Sequence, residues 1–148
     1  EQLGGVSISE GTDEIDFVRT AHHLGKKLLK KDLKVLIIKQ GTPEQLEFLL
    51  GNRNIPIIDR PWHEGKDEGK WNLDEDHYEC VLWADKEGVY LLNPANNVET
   101  SGMHYVGMDT FMNSWWPFKG NREHITVIPV SAGDKGLPKH IFNGAKLL

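Results

Sequence analysis

The stretch from His77 to Pro94 constrains the fold more than any other part of the chain. An apolar run (Val81-Leu82-Trp83-Ala84) leads into a polar turn (Asp85-Lys86-Glu87-Gly88). A second apolar run (Val89-Tyr90-Leu91-Leu92) then leads into Asn93-Pro94. This pattern is that of a β-hairpin. His77 and Asn93 stand 16 residues apart with Asp85 midway, so folding at Asp85 brings them level on neighbouring antiparallel strands and on one face. Gly88 suggests a three-residue loop with glycine in the left-handed region, which shifts the register unless a bulge restores it. Irregularity is therefore expected near 84–88. An imidazole beside a carboxamide is the base-plus-orienter half of a Cys-His-Asn hydrolase site: the imidazole stabilises a thiolate, and Asn accepts the ring N–H. The plainer alternative is a His that ends a strand and an Asn that opens a turn before Pro94.

Upstream, Thr12 is placed to cap a helix whose apolar face is Ile15, Phe17, Val18, Ala21 and Leu24, with Gly25 as its stop. Val35–Ile38 reads as a strand. Thr42-Pro43-Glu44-Gln45 is a capping-box helix start, Leu46, Leu49 and Leu50 form the buried stripe, and Gly51 ends the helix. Ile55–Ile58 is a strand that Pro56 opens or confines to an edge. A polar, acidic loop is expected from Arg60 to Asp76. A short helix starts at Asp109 or Thr110 and carries Phe111, Trp115 and Trp116, and Ile125–Ile128 is a last strand. The tail 131–148, rich in Gly and Pro, reads as extended. Two helices followed mainly by strands give an α+β order in a single domain spanning 1–148.

A hydrophobic fraction of 39% and a charged fraction of 26% describe an ordinary globular chain, and no apolar run is long enough to span a bilayer. The formal net charge of −5 argues against nucleic-acid binding. Lys26, Lys27, Lys30 and Lys31 cluster and read as the solvated end of a helix. Cys80 is the sole cysteine, which excludes an internal disulfide and fits a reducing, cytoplasmic setting. No cofactor is implied.

From about Leu3 to Trp116 the chain resembles the papain-like cysteine peptidases of the bacteriocin-leader, double-glycine type. The resemblance is carried by Glu10-Gly11-Thr12 with Leu24-Gly25, by Thr42-Pro43-Glu44-Gln45-Leu46, and by Ile55-Pro56-Ile57-Ile58. It continues in His77-Tyr78, Asp85, Gly88-Val89-Tyr90-Leu91-Leu92, Asn93-Pro94 and the aromatic segment Phe111 to Trp115. It implies a papain-like fold, peptide or protein substrates, and amide hydrolysis through a thioester with His77 as base and Asn93 as orienter. The glycine common before the family's His is Asp76 here, and Trp83-Ala84 replaces the glycine after the first strand. The family's nucleophile lies in a Cys-Gly-Pro motif at a helix start, a few residues after a Gln. This sequence has no such segment, and Glu1-Gln2-Leu3 matches its downstream edge, so the domain is expected to be N-terminally incomplete. The alternative is a non-catalytic peptide- or protein-binding module on the same fold.

Cys80 is a poor substitute, because three residues along one strand place it on the face opposite His77; it reads as a small buried apolar residue. Ser7, Ser9 and Thr12 carry no mark of a nucleophile. Asn113, nine residues after His104, is a rival orienter. Trp62, Trp71 and Asp76 are expected to line the cleft, whose acidic loop favours a basic peptide. His63, Glu64 and His77 form a weaker metal-site alternative, with a solvated acidic loop favoured over it, so no metal is expected.

Overall fold

The computed structural model describes residues 14–30, 32–63, 71–93, 102–115, 124–129 and 137–148, with the backbone alone for Glu14, 62–63, 71–76 and 124–129. The chain divides into two compact units, Ile38–His124 and Glu1–Ile37 with Ile125–Leu148. The described elements, helices and a largely antiparallel sheet, give the α+β class.

The first helix, α1 (Glu14–Leu24), buries Val18 and Ala21 and leaves Ile15 exposed. The α-helix ends at Leu24, just ahead of Gly25 as expected, but helical winding continues beyond it. The chain widens into a π-helical turn, Gly25–Leu29, which ends where Lys30 takes a left-handed φ of 52° and returns its N–H to the Gly25 carbonyl. Strand β1 (Leu33–Ile38) follows, with Val35, Leu36 and Ile37 buried without alternation. The end of the tail is tied down. Its last strand pairs antiparallel with β1, Leu36 opposite Leu147, and Val35 and Leu148 exchange backbone hydrogen bonds of 2.8 and 2.9 Å.

In the larger unit α2 (Pro43–Gly51) starts as its sequence dictates. The Gln45 N–H donates to Thr42 Oγ1 at 3.3 Å, and the Thr42 N–H donates to Gln45 Oε1 at 3.0 Å. This reciprocal cap satisfies two N–H groups that a helix start otherwise leaves without partners. Thr42→Ala is expected to cost about 1 kcal/mol in urea unfolding, and Thr42→Ser to restore most of it.

Four antiparallel strands carry the rest: β2 (Pro56–His63), β3 (Trp71–Ala84), β4 (Gly88–Leu92) and β5 (Met103–Gly107), in spatial order β5-β4-β3-β2. Helix α3 (Met108–Trp115) follows β5, β6 spans His124–Pro129, and β7, the strand paired with β1, spans Lys146–Leu147. One sheet face supplies Ile58, Val81, Val89, Leu91 and Val106 to a core completed by Leu46 of α2 and by Phe111 and Trp115 of α3. The opposite face exposes Trp83, Tyr90 and Tyr105, whose rings contact one another across three strands.

Three local expectations change. The acidic segment from Arg60 to Asp76 is not a loop throughout: Pro61 pairs with Asp76, Trp62 with Asn72 and His63 with Trp71, so Trp62, Trp71 and Asp76 lie on strands. The hairpin's irregularity falls between Val81 and Trp83 rather than at 84–88, so Leu82 is the extra residue. Gly88 is not left-handed. It is glycine because β5 passes close by: a Cβ there would lie 2.4 Å from the Val106 carbonyl oxygen and 2.6 Å from Tyr105 Oη.

Candidate functional site

Below the bulge, Cys80 pairs with Leu92 and Val81 with Leu91. Continuing that register sets Asn93 level with Glu79, so His77 is its diagonal neighbour rather than directly opposite, two residues from the expected alignment. An even offset preserves the face, and diagonal neighbours lie within reach of long side chains. His77 Nε2 lies 2.8 Å from Asn93 Oδ1. A carboxamide oxygen only accepts, so the neutral ring donates from Nε2 and carries its basic lone pair on Nδ1.

Asn93 is held from behind. Its N–H donates to the Gly102 carbonyl at 2.7 Å. Gly102 has φ +71°, and a Cβ there would come within 2.7 Å of the Asn93 carbonyl oxygen. The position requires glycine both for its backbone conformation and for this close approach.

Beside the pair lies a charged cluster. Arg60, directly opposite His77 on β2, is 1% exposed, and Glu79 is fully buried. Arg60 Nη1 donates to Glu79 Oε2 at 2.7 Å. Arg60 Nε and Nη2 donate to Ser114 Oγ at 3.1 and 2.8 Å, and that hydroxyl donates onward to the Phe111 carbonyl at 2.9 Å. The guanidinium carbon stands 5.9 Å from the centre of the Phe111 ring. His104, opposite Leu91 on β5, brings Nε2 to 3.6 Å from Glu79 Oε1. A polar row, Arg60, His77, Glu79, Asn93 and His104, thus continues the apolar face of the sheet. Arg60, Glu79, His104 and Ser114 were not expected from the sequence as a group. The available signal was parity: Arg60 is two residues from Ile58, and Glu79 lies midway between His77 and Val81, all positions facing the core.

Cys80 pairs with Ile57 and Leu92, on the face turned away from His77, and is half-buried. Burial, and secondarily the negative charge of Glu79, push its thiol pKa up. Iodoacetamide is therefore expected to alkylate Cys80 more slowly than free cysteine at neutral pH. The rate should still climb at pH values where the free thiol has levelled off, because only the thiolate reacts. A fast reaction near pH 7 would contradict this.

Asn113 is exposed on α3, whereas His104 sits at Glu79. Ser7, Ser9, Thr12, Glu64 and the side chains of Trp62, His63, Trp71 and Asp76 lie outside the described residues. Among the described residues, no group of three or more His, Cys, Asp or Glu could hold a metal ion, and no helix is long and apolar enough to cross a membrane.

No protein-family model matches the chain, and no curated protein does. Among solved structures it is similar to a Bacillus anthracis protein described provisionally as a C39-like peptidase, with 19% identity and a TM-score of 0.46. The alignment covers 75% of this chain and 58% of that one, so the chain spans little more than half of that protein's length.

Proposed function

We propose that this chain is a cysteine peptidase-like domain on a papain-like α+β scaffold, with His77 as general base and Asn93 as its orienter. The observation that carries the reading is the 2.8 Å contact between His77 Nε2 and Asn93 Oδ1. Asn93 fixes the ring so that Nδ1 presents its lone pair to a thiol. The thiol gives its proton to His77, and the thiolate attacks the peptide carbonyl. His77 then protonates the departing amine, and water cleaves the thioester. The nucleophile would be supplied by sequence outside these 148 residues.

The test is the full gene product. It should encode a Gln followed by Cys-Gly-Pro upstream of Glu1, and that cysteine should be labelled by a thiol-directed peptidyl probe. A full-length protein that takes up no probe removes the peptidase reading.

A second reading, a non-catalytic module that binds a peptide or protein, is favoured by the placement of Cys80, which faces away from His77 with its pKa raised. Fifteen Asp and Glu against eight Lys and Arg in Ile38–His124 favour a basic peptide. Under this reading, binding of such a peptide persists in His77→Ala.

A further inference from the structure

The π-helical turn Gly25–Leu29 presents a surface that the site does not use. Leu28 is 66% exposed and Leu29 57%, more than any other large hydrophobic residue described. They are bracketed by Lys26, Lys27 and Lys30, all exposed. No Asp or Glu occurs between Gly25 and Lys31, and exposed Asp32 is the next acid along the chain. Isolated exposed leucines need no explanation, but two adjacent ones ringed by cations have a distinct chemistry.

The charge is also divided. Residues 1–37 with 125–148 carry nine Lys and Arg against seven Asp and Glu, whereas Ile38–His124 carries eight against fifteen. The cationic patch therefore lies on the unit whose own balance is positive.

We propose that this turn docks the protein on an anionic phospholipid surface. Leu28 and Leu29 enter the boundary between headgroups and acyl chains, and Lys26, Lys27 and Lys30 pair with lipid phosphates. Cations alone would equally meet the phosphates of a nucleic acid, but such a partner gives two exposed leucines nothing to bury in. A lipid surface accounts for both features at once.

Sedimentation of the full chain with vesicles tests this. It should pellet with phosphatidylcholine vesicles containing about 30% phosphatidylglycerol and stay in solution with pure phosphatidylcholine. Lys26→Ala with Lys27→Ala should weaken binding about thirtyfold. Leu28→Ser with Leu29→Ser, which leaves the charge unchanged, should weaken it about a hundredfold. All four side chains are exposed, so circular dichroism should show these variants folded. No binding to anionic vesicles, equal binding to neutral ones, or a leucine variant that binds like the parent would each overturn the proposal.

Discussion

Arg60→Met is expected to destabilise the protein by about 3–5 kcal/mol, because it leaves the Glu79 carboxylate buried without its guanidinium. A charge removed from water must be matched by opposite charge and hydrogen bonds, and Arg60 supplies Glu79 with a 2.7 Å bond while also holding Ser114 of α3. The pair itself need not add stability over an apolar one, since its Coulombic gain is offset by the desolvation of both ions. The double variant Arg60→Met with Glu79→Leu should therefore recover most of the loss, within about 1–2 kcal/mol of the parent. Urea unfolding of the parent, both single variants and the double variant measures the coupling. If Arg60→Met alone were as mild as the double variant, Glu79 would have another partner of equal strength.

The second large effect concerns His77. Under the proposed peptidase reading, His77→Ala in the full gene product should lower peptide turnover about 10²–10⁴-fold, the range that a positioned general base supplies. Asn93→Ala should cost less, because it releases the ring without removing the base. Its signature should be spectroscopic: the ¹⁵N shifts of His77 should move from a single Nε2–H tautomer to a mixture. Equal turnover in the parent and His77→Ala would remove the imidazole from the chemistry. An unchanged tautomer in Asn93→Ala would mean that another group orients the ring.

Much of this architecture was legible where the code is local. The Thr42–Gln45 cap is a four-residue affair between a side chain and nearby backbone, and it forms as its residues dictate. The hairpin's existence followed from two apolar runs and a polar turn. Its register did not. The bulge inserts Leu82 between Val81 and Trp83, all three apolar, so composition gives no sign of which residue is extra. Gly88 and Gly102 show the same limit from opposite sides. Gly88, closing a polar turn, reads as a turn glycine but is required by the approach of β5, and Gly102, which does have a positive φ, sits in no sequence pattern that marks it. Strand β5 itself is short and follows a stretch rich in Gly, Asn and Ser, and the arms of β2 and β3 beyond Arg60 are polar enough to read as loop. The His77–Asn93 contact survived the register error because the discrepancy was two residues, and parity forgives even shifts. The buried ions were hidden for a different reason: a charged residue at a core-facing position reads as loop until its counter-ion, 19 residues away, is found across the sheet.

Strand β3 is hydrogen-bonded on both flanks, to β2 and to β4. At His77 the backbone pairs with Arg60 of β2 and the ring is held by Asn93 Oδ1 at 2.8 Å, so much of its orientational freedom was surrendered when the domain folded. A molecule that meets this imidazole encounters a stationary target, and the entropy lost on productive encounter falls mostly on the visitor.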